Sequence, residues 1–208
     1  MTAQIGDIFK YQKKEYTVVA LSNGQLFDPK NYGLEAHARC TACYRGYWCE
    51  YGVDDESLML RDFYMFNLDG NYPPLNGIQL APQEFEECQC YVGENKWEKS
   101  TMPAHLGHQV YRNVNLLLPY TGKILLGRDF MGEYYIHMGF QRGWAYRRLI
   151  ELEFDEGLLL ESHDVSHIAR AKREEIKQQR DDPRYPDKKI IDESFSLDDT
   201  DKIWWLEE

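Results

Sequence analysis

The sequence predicts a mainly β protein: two similar antiparallel β units, packed as a sandwich or curled barrels, then a C-terminal helix and a docked acidic-aromatic tail. Three observations carry this. Short apolar segments alternate with polar residues at period two, as half-buried strands do. Tight-turn residues separate them. After Ser162 the pattern becomes charged and helical. The divisions fall at residues 1–70 for the first unit, 71–110 for a loop-rich connection, 111–162 for the second unit and 163–208 for helix and tail.

In the first unit, Glu15–Leu21 is β-branched and aromatic, and Ser22-Asn23-Gly24 leads to Gln25-Leu26-Phe27. Asn-Gly between apolar runs predicts a hairpin, because both residues tolerate positive φ. Tyr47–Val53 places Tyr47, Cys49, Tyr51 and Val53 on one face and Glu50 on the other. Asp54-Asp55-Glu56 then turns the chain into Leu58-Met59-Leu60. The connection contains NLDGNYPPLNG and STMPAHLGH, where prolines deny backbone donors.

In the second unit, Val114–Pro119 and Lys123–Leu126 flank Tyr120-Thr121-Gly122 as a further hairpin, and Tyr134–Met138 reads as a strand. Ile150, Leu152 and Phe154 alternate with Glu151 and Glu153. Asp155-Glu156-Gly157 returns the chain to Leu158–Leu160, with Gly157 as the left-handed residue of a three-residue loop. The halves resemble one another. Asn23-Gly24, Arg45-Gly46-Tyr47, Asp55-Glu56 and Leu58/Leu60 recur as Thr121-Gly122, Arg142-Gly143-Trp144, Asp155-Glu156 and Leu158/Leu160, offset by about 100 residues. Aligned on Arg-Gly, Cys43 falls opposite Phe140 and Cys49 opposite Tyr146, which marks both cysteines as core positions.

Asp164 or Ser166 caps a helix through IARAKREEIKQQR. Its apolar stripe is thin: Val165, Ile168, Ala169 and Ile176. Pro183 and Pro186 end it. The tail places Trp204 and Trp205 side by side, a pair costly to leave in water, so the tail packs on the body or a partner.

Composition narrows the function. The chain has 208 residues, 43% of them hydrophobic and 14% aromatic, as in a folded protein. Its net charge of −11 argues against nucleic-acid binding, which rests on clustered Lys and Arg. No apolar run approaches a membrane span, and the first residues hold no apolar signal region, so the expected location is cytoplasmic. Five cysteines in a reducing compartment read as free thiols. Cys40, Cys43, Cys88 and Cys90 could supply four sulfurs to zinc, but Cys-x-Cys departs from the usual knuckle spacing. Buried thiol is the stronger reading, and no other cofactor is expected.

No GxSxG, Walker loop or GxGxxG occurs, so the chain leans away from catalysis. The leading expectation is a binding protein that docks another protein, of inhibitor, immunity or accessory type, with Trp204 and Trp205 as partner contacts. The alternative is a small-molecule binder with an aromatic-lined β pocket. Its residues would be Tyr135, His137, Arg142, Trp144, Arg45 and Trp48, where Arg beside aromatics grips an anion or a π face. The third reading is a hydrolase or isomerase using His137, or His163 with Asp164. The sequence sets no oligomeric state.

Overall fold

The computed structural model describes residues 2–93, 95–179 and 197. Among the described residues the chain is mainly β, with two sheets and one α-helix towards the C-terminus. β1 (Ile8–Tyr11) and β2 (Lys14–Leu21) form a hairpin. Gln12 and Lys13 turn it with φ of 49° and 61°, the left-handed pair of a two-residue loop. The chain then crosses to β3 (Tyr47–Asp54), which runs parallel to β1 with Phe9 opposite Tyr51. β4 (Ser57–Met65) returns antiparallel after a left-handed turn at Asp55 and Glu56. β5 (Phe85–Gly93) and β6 (Lys96–Pro103) form a separate two-stranded ribbon. β7 (Gln109–Tyr111) and β8 (Leu116–Leu117) both pair with β4. β9 (Gly122–Phe130) joins β2 to β10 (Tyr146–Asp155), and β11 (Leu158–Asp164) follows β10.

The large sheet has the order β11-β10-β9-β2-β1-β3-β4-β7 and curls until β11 meets β4. The meeting is a contact between two hairpin tips. Leu158 lies opposite Ser57. Leu58 N donates to Gly157 O at 2.8 Å, and Leu159 N to Glu56 O at 2.7 Å. Farther along the same edge of β4, Leu118 N donates to Leu58 O and Val114 N to Arg61 O. One strand edge is thus capped in turn by β11, β8 and β7, which removes an exposed template for aggregation.

Inside the ring lie Phe9, Tyr51, Leu58, Leu60, Phe63, Ile124, Leu126, Leu152 and Phe154, in one cluster. The period-two readings hold here. Tyr47, Cys49, Tyr51 and Val53 all pack against this cluster, and Leu152 and Phe154 do so from β10. Cys43 and Cys49 are buried, as are Phe140 and Tyr146.

Helix α1 (Ser166–Gln179) covers the outside of β9 and β10. Asp164 Oδ1 accepts from Ser166 N at 2.9 Å, which caps the first turn. The docking stripe is Ala169, Arg173 and Ile176. Arg173 enters an apolar layer because Nη1 donates to Trp144 O and Tyr146 O at 3.0 and 2.8 Å. Those carbonyls supply the partners that a buried guanidinium requires. From the tail, Leu197 is buried and its carbonyl accepts from Leu21 N at 2.9 Å. Trp204 and Trp205 lie outside the described residues.

Four local expectations are corrected. Gln25-Leu26-Phe27 is not a strand, because both edges of β2 are already taken by β1 and β9. Leu116–Leu117 does not pair with β9; Leu118 N is committed to Leu58 O, which holds β8 on β4. Tyr134–Met138 is not a strand. The Gln141 amide accepts from Ile136 N and donates to Ile136 O, at 2.9 and 2.7 Å, and so replaces a ladder. The loop at Asp155 has two residues, not three: Asp155 lies opposite Leu158, and Glu156 and Gly157 both have positive φ. The connecting segment also contains regular structure. Residues 100–103 of the expected loop belong to β6.

Gly157 has φ +84°, and a Cβ there would lie 2.3 Å from Leu118 O. Gly77 has φ +78° with open space around it. Gly157→Ala should therefore destabilise by about 3 kcal/mol, against about 1 kcal/mol for Gly77→Ala. Urea denaturation of both variants measures the difference; equal losses would refute the seam's steric demand.

Candidate binding surfaces

Arg45 is held at one end of the ring by the turn that precedes β3. Gly46 has φ +78°, and a Cβ there would lie 2.4 Å from His37 O, so only glycine fits. This turn directs the Arg45 guanidinium to Asp7, with which it forms an ion pair. Asp7 Oδ1 also accepts from Cys49 N at 2.8 Å, and Arg45 Nε donates to Tyr47 O at 2.9 Å. The guanidinium lies 4.7 Å from the Tyr47 ring centroid and 5.4 Å from that of Phe140. Burial works against the Arg45 charge, but the Asp7 carboxylate outweighs it and holds the group above its ordinary value.

The other expected pocket residues go elsewhere. Arg142 and Trp144 are buried, Trp144 in the layer beneath α1. Tyr135 and His137 are exposed on the segment that follows a 3-10 turn at Gly132–Tyr134. Trp48 faces outwards from β3 and stacks on Tyr64, with centroids 4.9 Å apart and planes 9° from parallel. None of these five lines the cavity beside Arg45. His163 is exposed on β11 and meets Glu161 at 2.7 Å.

The cysteines do not gather into a cage. Cys40 and Cys43 face each other across a turn, and burial pushes the Cys43 thiol up to about 11. Cys88 and Cys90 sit on one face of β5 with sulfurs 3.6 Å apart. Among the described residues, no group of three or more His, Cys, Asp or Glu side chains could hold a metal ion.

The ribbon β5–β6 is the surface that sequence reasoning missed. Every residue of β6 is exposed, and β5 is exposed except at Cys88 and Gly93. Phe85, Tyr91 and Trp97 share one face through the pairing of Tyr91 with Trp97. The Tyr91 and Trp97 rings meet edge-on at 5.4 Å. The signal was present in QCYVGENKW, where β-formers flank Gly93 and Asn95. With both faces in solvent, however, no apolar period marks the strands.

A polar network anchors the ribbon base to β4. Arg112 Nη1 donates to Asp62 Oδ2 and the Tyr64 hydroxyl, at 2.7 and 2.6 Å. Its Nη2 donates to Glu84 Oε1 and Oε2 at 2.9 and 3.1 Å. Tyr64 OH donates onward to Glu50 Oε1, and Lys10 Nζ pairs with Glu50 Oε2. Glu84 meets His105 Nε2 at 3.0 Å. The His105 contact, then Arg112, holds the Glu84 carboxyl below its ordinary value. Beyond β6, His105, Leu106 and Gly107 all have positive φ, which re-aims the chain towards β7. Arg39 Nε secures this bend by donating to Leu106 O at 2.8 Å.

His108 ends the bend inside an aromatic layer, 4.6 Å from the Trp48 ring. Its Nδ1 donates to His105 O at 3.1 Å, and its Nε2 is buried with no partner among the described residues. A second proton would have no acceptor, and burial lowers this imidazole below its ordinary value of 6.5.

Comparison with protein-family models, curated proteins and solved structures finds no match to the chain.

A lowered histidine binds its proton more readily in the unfolded chain. Its contribution to stability is therefore complete above pH 6.5 and is lost as the pH falls below that value. Denaturation midpoints recorded across this window should fall with pH for the native chain. His108→Phe should flatten that slope, whatever its own midpoint. An unchanged slope would remove His108 as the cause.

Proposed function

We propose that the chain is a non-enzymatic binding protein that docks another protein through the β5–β6 ribbon. The observation that carries this is the exposure of Phe85, Tyr91 and Trp97, at 65%, 56% and 61%, on one face of a ribbon that stands on an anchored base. Aromatic side chains of this kind supply interface anchors, because each buries a large rigid area at low entropic cost. A two-stranded ribbon is marginal alone. The Arg112–Glu84 and His105–Glu84 contacts support its base instead.

The partner is a protein with a basic docking surface. The chain carries a net charge of −11. On the ribbon, Lys96 is paired with Glu98, Glu87 and Lys99 are exposed on the aromatic face, and Glu86 is exposed on the other face, so the acidity that steers a partner is that of the chain as a whole. Opposite charge accelerates encounter and sets orientation, and the aromatic rings then supply the affinity. An acidic inhibitor or accessory factor that covers a basic surface fits this chemistry. No helix among the described residues is long and apolar enough to cross a membrane.

Affinity capture from the native host tests the reading with three baits: the native chain, Tyr91→Ala/Trp97→Ala, and Leu117→Ala, an exposed body position. A basic protein should be retained by the first and third and lost from the second. With that protein purified, Trp97→Ala alone should weaken binding by about 2 kcal/mol, roughly thirtyfold in Kd. Retention by a folded ribbon variant would overturn the proposal.

A further inference from the structure

We infer that the cavity beside Arg45 is a binding site for a small, neutral, planar molecule with a hydrogen-bond acceptor next to a donor, as an amide or nucleobase edge has. The site is independent of the ribbon. The cavity measures about 480 Å³ and opens at the end of the ring. That volume lies within the range of small-molecule sites, and the mouth of a curled sheet is a usual place for one. Its walls are mostly apolar or aromatic: Leu21, Leu26, Phe27, Tyr47, Tyr51 and Phe140. Leu197 lines it from the tail.

Against these walls stand two polar groups, Arg45 and Asp7. Their mutual contact uses Arg45 Nη2 and Asp7 Oδ1. Arg45 Nε is used by Tyr47 O, and Asp7 Oδ1 also by Cys49 N. Among the described residues, Arg45 Nη1 and Asp7 Oδ2 take part in no hydrogen bond. An unused donor and an unused acceptor therefore belong to two paired side chains that line one cavity of mixed apolar and polar wall. Neither atom is among the fully buried unpartnered ones, so water reaches both, and a ligand edge with acceptor beside donor would take the place of that water.

The pair also sets the charge of the ligand. Arg45 and Asp7 cancel, so an anion gains from one and loses to the other, and a cation likewise. Neutral ligands avoid that opposition and pay less to leave water. Flatness follows from the walls. The Tyr47 and Phe140 rings flank the guanidinium, and a planar ring beside it continues the same stacking. The exposed Gln25 lines the cavity where it opens to solvent.

The test uses the full chain and a matched panel: nicotinamide, uracil and adenine as neutral compounds, nicotinate and benzamidine as charged ones. Saturation-transfer NMR and titration calorimetry read the binding. The neutral compounds should bind, and the charged ones should bind at least about tenfold more weakly. Gln25→Trp narrows the opening from an exposed position and should weaken neutral ligands by about tenfold without changing the circular dichroism spectrum. Asp7→Asn leaves the Arg45 charge uncompensated and should move the preference towards nicotinate. The site is overturned if no neutral compound binds, if nicotinate equals nicotinamide on the native chain, or if Gln25→Trp binds as the native chain does.

Discussion

Leu58 N–H donates to Gly157 O and Leu159 N–H to Glu56 O, and those two bonds decide what the other strands enclose. Without them β11 would be one margin of an open sheet and the short strands on β4 the other, and the apolar side chains of β1, β3, β9 and β10 would face a trough. With them the same side chains form one interior cluster. The seam constrains its own sequence, because the Gly157 N–H is also committed to Tyr120 O and Leu118 O occupies the space of a side chain. The segment around Tyr120 is thereby held at the seam. That is where the chain passes from β8, paired with β4, to β9.

The ring end and the outer face solve the problem of charge in different ways. At the ring end, Asp7 and Arg45 sit among aromatic rings and are held by each other, by a peptide N–H and by a carbonyl. Removing one member would leave the other charge without compensation in poor solvent. On the outer face, Lys10, Glu50, Tyr64, Arg112, Asp62, Glu84 and His105 form a chain of contacts from β1 to the ribbon base. Most of these groups keep some contact with water, so each contact is modest alone. Their joint effect is geometric: they set where the ribbon leaves the body.

The fold was legible where burial is one-sided. Tyr47–Val53 and Ile150–Phe154 show the alternation that a single buried face imposes. The Asp-Glu turns after them are the tips of β3–β4 and β10–β11. The likeness between the halves acquires a physical meaning there, because the matched stretches at Leu58 and Leu158 are the two tips that touch. Long-range choices left no local trace. The parallel pairing of β1 with β3 and the placement of β8 on β4 depend on which edges other strands have filled. The Gln12-Lys13 turn lacks glycine and is held by the pairing of Phe9 with Tyr16. Of the site residues, Arg45 was readable from its Arg-Gly-aromatic setting. The partners Asp7 and Glu84 were not, since only the folded chain brings them to Arg45 and Arg112.

The strand order also has a consequence for biosynthesis. β2 lies between β1 and β9, and β9 begins only at Gly122. While the chain is being made, β1 to β4 can pair among themselves, but the other edge of β2 has no neighbour. Tyr16, Val18 and Leu21 then lack the side chains of β9 and β10 that later cover them. For the time needed to add the intervening residues, the nascent protein presents an unpaired apolar strand, the kind of surface that holdase chaperones bind and that drives association between nascent chains. Cooperative folding must wait until β11 clears the exit tunnel, since the ring closes through its last strand.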